Sequence, residues 1–307
     1  LSLFYTTSEV YTILGMDSLY FFLFASPGLI GFAVLSVYPI LRSLFLSFTN
    51  RTLLGYEPTE WVGLKNYIRA FGDVYVWDSL GKSFIYAIAT LVTVNVTGLL
   101  AALLMNHVKG KFSNVLRTIF YAPSILPAVS MVIMFTWIFN PSTGFLNTIL
   151  RSLGVENVPL WLEGNTTVIP TLIIMSFWSF GAKMVIYLAG LQGISKEYYE
   201  AVSLDGANAV TTFFKITLPL LSPVLFYNVL MSLVGGLQVF TEAYVISGTG
   251  TGVPVNFYVL NVFSLAFNSP YELGYASALA WILFVIILAM TGLYFIFSKK
   301  FLNFDGE

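Results

Sequence analysis

Apolar residues in this chain come in long unbroken runs rather than in alternation or in amphipathic stripes. Six stretches, residues 20–48, 84–106, 115–139, 167–191, 220–246 and 276–298, are each long enough to cross a bilayer as a helix, which takes about 20 apolar residues. Polar or turn-rich sequence separates them, for instance "NRTLLGYEPTEW" after the first and "NPSTG" after the third. Hydrocarbon offers no water to an exposed backbone, so such runs fold as helices whose hydrogen bonds close within the segment. The pattern predicts an all-α integral membrane protein with six transmembrane helices in one membrane domain over residues 20–298, and no internal repeat is visible. Residues 1–19 form an N-terminal segment and 299–307 a C-terminal tail.

Composition agrees with the pattern. Of 307 residues 57% are hydrophobic and 9% charged, against about 25% charged in soluble domains. Net charge is −1, which gives no electrostatic footprint for nucleic acid. Without cysteine there are no disulfides, thiolate metal sites or cysteine nucleophiles, and the single histidine, His107, stands in a basic loop. A histidine metal cluster and a Ser-His-Asp triad therefore lack their parts. Neither a catalytic nor a metal site is expected. Gly81-Lys82-Ser83 matches the end of a phosphate-binding loop, but the glycine needed five residues earlier is Val76, so the chain itself has no ATP cradle.

Orientation follows from the basic residues near span ends. Lys109, Lys111, Arg117, Lys196, Lys215, Lys299 and Lys300 lie on one side, seven against the five of Arg51, Lys65, Arg69, Lys82 and Arg151 on the other. The count favours both termini in the cytoplasm and puts residues 192–219, between spans four and five, there too. Residues 1–19 hold no Lys or Arg and so lack the basic start of a cleavable signal peptide.

The charged segment 192–219 interrupts the apolar pattern. Ile194 to Leu204 reads as a short helix, with Ser195 as N-cap and the acids Glu197 and Glu200 behind it. Asp205-Gly206 is a turn signal, because glycine adopts the left-handed conformation that ends a helix. Asn208 to Thr217 reads as a second short helix, expected to stop at Leu218-Pro219. Val202, Leu204, Phe213 and Phe214 form the apolar side expected to anchor this helix–turn–helix on the membrane.

The ordered pattern E-A-x-x-x-D-G-A-x₅-F-x₂-I-x-L-P-x₃-P, from Glu200 to Pro223, resembles the cytoplasmic "EAA" coupling loop of ABC-type import permeases. Val202 replaces the family's usual second alanine. "YPILRSLFLSFTN" (38–50), "WVGLKNYIRAF" (61–71), "FNPSTGFLN" (139–147) and "ELGYASALAWILF" (272–284) are similar to the carbohydrate-uptake branch, within which the chain resembles the first of two non-identical permease subunits. The resemblance implies a type I importer permease fold in a bacterial or archaeal cytoplasmic membrane, working with a second homologous permease, two ABC ATPase subunits and an extracytoplasmic solute-binding protein. ATP and Mg would bind those ATPases. Glu200, Ala201, Asp205, Gly206, Ala207, Phe213, Leu218 and Pro219 would form the ATPase-coupling surface. The implied function is ATP-driven import of a carbohydrate, an oligosaccharide by the branch it resembles. The alternatives are an ABC permease for another solute, such as a polyol phosphate or amino acid, and an ATP-independent secondary transporter.

Helical periodicity also draws polar faces. Asn228, Ser232, Gly235, Gln238 and Glu242 share an arc of roughly 120° on span five, and Ser176, Ser179, Lys183, Tyr187 and Gly190 one of roughly 80° on span four. Tyr86, Thr90, Thr93 and Thr97 align on span two. Small and hydroxyl residues serve helix packing as readily as a path, whereas charges within spans carry function or find hydration. Counted along straight helices, Lys183 and Glu242 differ in depth by about 20 Å, too far for a direct pair. Sugar recognition combines aromatic faces with amides and hydroxyls, which Trp137, Trp178, Tyr187, Tyr244 and Gln238 offer. The candidate substrate path is Trp137, Ser176, Trp178, Ser179, Lys183, Tyr187, Gly235, Gln238 and Glu242.

Overall fold

A computed structural model describes residues 7–55, 58–108, 110–248 and 255–298, with side chains from residue 20 onward. Lys109, Lys299 and Lys300, counted above for orientation, and the tail 299–307 lie outside the described residues. Among the described residues there is helix but no strand, only an isolated bridge between Thr49 and Trp61.

Five helical segments are long and apolar enough to span a bilayer: Tyr20–Ser47, Val74–His107, Val168–Gly193, Ser222–Gly248 and Leu273–Ser298. The first continues a helix that begins at Thr7. The second starts about ten residues before its apolar run, where Asp73 caps it by accepting from the Tyr75 amide at 2.9 Å. Its 34 residues rise about 51 Å, well beyond the ~30 Å hydrocarbon core.

The straight third span expected over 115–139 is corrected. Lys111–Ile125 and Ala128–Ile138 meet at 93°, and only together do they qualify as a sixth span. Pro123 and Pro127 cause the bend. Leu126, ahead of Pro127, is driven to an extended ψ of 137°, as a pre-proline residue is.

Two prolines are instead absorbed. A π-helical turn at Ala33–Val37 precedes Pro39, and another at Phe213–Thr217 precedes Pro219. The amide just before each proline reaches back five residues, Tyr38 to the Ala33 carbonyl and Leu218 to that of Phe213. Such a bulge accommodates the interruption a proline makes in the ladder. The second coupling-loop helix therefore does not stop at Leu218-Pro219, because the backbone stays helical to Leu220.

The chain divides into two compact units. One comprises residues 1–69 and 265–281, the other 70–264 and 282–307. In the first, Asn66 is buried and its Nδ2 donates to the Ser47 and Thr49 carbonyls, both at 2.9 Å. The Gly274 amide donates to the Arg51 carbonyl at 2.8 Å.

The second unit holds two apolar clusters. One gathers Val132, Leu172, Met175, Ala243, Ile246 and Phe257, and the other Ala102, Met105, Met184, Tyr187, Leu191 and Leu221. Lipid tails are as apolar as these side chains, so close packing rather than water exclusion holds such helices together. Small residues make it possible. A Cβ on Gly98 would lie 2.8 Å from the Lys183 Cβ, and one on Gly236 would lie 2.7 Å from the Ala87 Cα.

Candidate functional site

Two of the long segments are interrupted, and a cavity lies at the interruptions. Val168–Ser176 passes through a 3₁₀ turn, Phe177–Ser179, into Phe180–Gly193. Ser176 Oγ donates to the Ile173 carbonyl at 2.6 Å and Ser179 Oγ to that of Ser176 at 2.8 Å. These local bonds compete with the helical ladder where it tightens. Ser222–Leu237 ends at Gln238, and Thr241–Gly248 begins three residues later with Glu242 in its first turn.

Between these breaks and the side of Val74–His107 lies a cavity of about 350 Å³. Ser176, Ser179, Lys183, Gly235, Gln238 and Glu242 line it, with Tyr86 and Thr90 opposite. A smaller pocket of about 180 Å³ shares Tyr86, Ser176, Ser179 and Glu242, and the bent segment supplies Pro123, Ser124 and Leu126 to its wall. Ser124 Oγ accepts from the Ala182 amide at 3.1 Å and donates to the Ser179 carbonyl at 3.5 Å, which stitches the bend to the 3₁₀ turn.

The cavity holds one cation and one carboxylate. Lys183 Nζ donates to the Asn228 carbonyl at 3.3 Å, across from its own helix. No ion pair joins Lys183 to Glu242, although both face the one cavity. An uncompensated charge within a span is costly unless hydrated or met by a ligand. A lysine, a carboxylate, a primary amide, hydroxyls and a tyrosine together offer both donors and acceptors to a polar solute.

Three candidates stand elsewhere. Trp137 ends Ala128–Ile138 at 77% exposure. Trp178 packs edge-on against Phe135 at 5.6 Å. Tyr187 is fully buried, and its hydroxyl donates to Asn95 Oδ1 at 2.7 Å. Asn95 escaped the sequence reading. Its Nδ2 donates to Ser232 Oγ at 2.9 Å and to the Leu91 carbonyl at 2.7 Å. Ser232 Oγ donates in turn to the Asn228 carbonyl that Lys183 reaches. One polar network thus joins Val74–His107, Val168–Gly193 and Ser222–Gly248, running from buried Tyr187 and Asn95 to Ser232 and Lys183 in the cavity wall. A lone Asn in an apolar run was the only sequence signal for it. Thr93 and Thr97, expected on the polar face, spend their hydroxyls on the Ala89 and Thr93 carbonyls at 2.9 and 2.6 Å.

At the coupling segment, Lys196–Leu204 is capped by Ser195, whose Oγ accepts from the Glu197 amide at 3.4 Å. The helix closes in a Schellman motif. The Ala207 amide donates to the Val202 carbonyl at 3.3 Å and the Gly206 amide to that of Ser203 at 3.2 Å, with Gly206 at φ +71°. Asn208 caps the next helix by accepting from the Thr211 amide at 2.8 Å. Tyr199 Oη and Thr217 Oγ1, 3.3 Å apart, tie the two arms together. Glu200, Ala201, Asp205 and Gly206 are exposed, Ala207, Phe213, Leu218 and Pro219 half-buried. Of the apolar residues expected to anchor on the membrane, Val202 and Phe213 are half-buried and Leu204 and Phe214 are 88% and 61% exposed on the chain's surface.

Comparison with known proteins places this geometry. The chain is 39% identical over 297 residues to the probable ABC transporter permease protein YesP of Bacillus subtilis, covering 95% of this chain and 94% of that protein. It is 32% identical to the arabinooligosaccharides transport system permease protein AraP of the same organism, over 93% of this chain and 90% of the relative. Its fold is similar, at a TM-score of 0.82 and 20% identity, to a chain in the crystal structure of a bacterial alginate ABC transporter in complex with an alginate pentasaccharide-bound periplasmic protein, over 95% of this chain and 98% of that one. The model of the family described as "binding-protein-dependent transport system inner membrane component" matches residues 94–303. Most of the cavity wall, both breaks and the whole capped helix–turn–helix fall within that range, and this chain belongs to the family of binding-protein-dependent transport system inner membrane components.

Proposed function

We propose that the chain is a permease subunit of an ATP-driven ABC importer that carries an oligosaccharide across the cytoplasmic membrane by alternating access. The names of its relatives support carbohydrate as the solute class, since AraP serves arabinooligosaccharide transport and the structural neighbour imports alginate. The observation that carries the reading is local. A rigid, doubly capped helix–turn–helix, exposed at Glu200 and Asp205, runs through a π turn at Phe213–Thr217 into the segment that lines the cavity.

In this reading a second homologous permease completes the path, an extracytoplasmic binding protein delivers solute, and two ATPase subunits carry the ATP and Mg. Leu204 and Phe214, exposed and apolar, are the surface an ATPase cleft covers, with Glu200 against a basic residue of that cleft. Closure of the ATPase pair pushes residues 196–217, which turns the Ser222–Gly248 segment about the π turn at Phe213–Thr217 and opens the cavity to one side and then the other. No covalent step occurs in this chain. Ser176, Ser179, Lys183, Gln238 and Glu242 meet the hydroxyls of the passing sugar.

The test reconstitutes the assembled transporter in vesicles and measures ATP hydrolysis and uptake with a panel of oligosaccharides, polyol phosphates and amino acids, each with its binding protein. An oligosaccharide should stimulate both, and Gln238→Ala or Glu242→Ala should raise the apparent KM for uptake while sparing assembly. Stimulation only by amino acids or polyol phosphates would refute the solute class. Unchanged kinetics in both variants would remove the Ser222–Gly248 segment from the path.

A further inference from the structure

Away from the cavity, the unit of residues 1–69 and 265–281 contains a pocket of about 430 Å³. Arg51, Thr52, Lys65, Arg69, Glu272 and Tyr275 are in its wall, three cations against one carboxylate. Arg69 is engaged: it pairs with Glu272 at 2.8 Å and lies over the Tyr275 ring, 3.9 Å from its centroid. Arg51 donates one N–H to Thr59 Oγ1 at 2.9 Å, which leaves other donors of its five-donor guanidinium. The Lys65 ammonium makes no hydrogen bond or ion pair with any described residue. Thr52 Oγ1 is buried in the wall without a partner. Once Glu272 is matched with Arg69, no described carboxylate in the wall opposes the other two positive charges.

The pocket's depth is marked by its neighbours. It lies where the first long segment ends at Ser47 and the last begins at Leu273. Trp61, next to the pocket residue Val62, stacks on Phe48 with centroids 5.3 Å apart and packs near Phe45 at 5.7 Å, and is 62% exposed. Exposed tryptophan at a span end is the signature of the bilayer interface. Along the first segment the residues before Ser47 leave Phe45, Leu41 and Ile40 exposed, so lipid has access to that face beside the pocket. A basic pocket at headgroup depth, open to lipid, takes a phosphate, which a guanidinium grips bidentately and an ammonium meets as a point charge.

We propose that this pocket binds the phosphate of an anionic phospholipid, phosphatidylglycerol in chemical type, and so fixes a lipid at the ends of the first and last segments. The proposal needs only membrane insertion and stands whether or not the solute is a sugar.

Native mass spectrometry of the assembled transporter, purified from membranes containing phosphatidylglycerol, counts the lipid retained. Melting in nanodiscs of phosphatidylglycerol against phosphatidylcholine reads the stabilisation. Lys65→Gln removes no hydrogen bond or ion pair made to a described residue, and should lower phosphatidylglycerol affinity several-fold, because the point charge that meets the phosphate is lost. Lys82→Gln, which removes a cation already paired with Asp78 at 2.6 Å, should leave occupancy unchanged. Equal retention by wild type and Lys65→Gln would overturn the proposal. So would stabilisation by millimolar inorganic phosphate matching that of the lipid, which would make the site one for free phosphate. Unchanged lipid retention in Lys65→Gln with weaker stimulation of ATP hydrolysis by the binding protein would make it a docking point for an acidic protein side chain, and overturn it equally.

Discussion

Gly206 allows the coupling segment to be tested by a graded series. Its φ is +71° and a Cβ built there meets nothing within 4 Å, so a substituent costs backbone strain without a clash. For alanine that strain is about 1–2 kcal/mol, and asparagine, which tolerates the left-handed region, costs less. Proline is different in kind. It demands φ near −65°, a rotation of roughly 140° from the native value, and its cost is about 3 kcal/mol or more. It also deletes the amide that donates to the Ser203 carbonyl at 3.2 Å. A loss of about 1–2 kcal/mol lowers the closed-to-open ratio of the motif about 5–30-fold. The assay is sugar carried per ATP hydrolysed in proteoliposomes, with size-exclusion chromatography as the check on assembly. Coupling should fall in the order Gly, Asn, Ala, Pro. A Gly206→Pro transporter that assembles and couples as the wild type does would refute the Schellman turn as a mechanical element.

Glu200→Lys should leave ATP hydrolysis running while uptake falls, read from the same two rates, and normal uptake would count against the loop's role. Asn95→Leu should cost about 1–3 kcal/mol by stranding the Tyr187 hydroxyl, measured by thermal unfolding. Adding Tyr187→Phe should recover part of that loss, so a double variant no more stable than the single one would sink the network argument. Gly98→Ala should destabilise by about 1–3 kcal/mol, because its Cβ would lie 2.8 Å from that of Lys183. Gly81→Ala, inside the same helix with nothing within 4 Å, should instead stabilise by about 0.5–1 kcal/mol in the same melting assay.

The coupling segment was legible because its signals are local. Ser195, Asp205-Gly206 and Asn208 cap and turn through contacts a few residues away, and each does so in the structure. Pro219 was misjudged as a stop because the π turn that absorbs it lacks a residue signature of its own. The bend at Pro123–Pro127 hid inside an apolar run long enough to span. The breaks at Phe177–Ser179 and Gln238–Phe240 mattered most for the cavity, since Ser179, Gln238 and Phe240 at those breaks line it. Asn95 was invisible because its partners Tyr187 and Ser232 lie 92 and 137 residues away, and a span-by-span reading cannot pair them.

The absence of cysteine from the chain makes Asp205→Cys a lone reporter for the claim that residues 196–217 are a cytoplasmic lever. A membrane-impermeant maleimide should label it in inside-out vesicles but not in right-side-out ones, and assembly with the ATPase subunits should protect it. Labelling from the outer face, or labelling indifferent to the ATPases, would contradict the account.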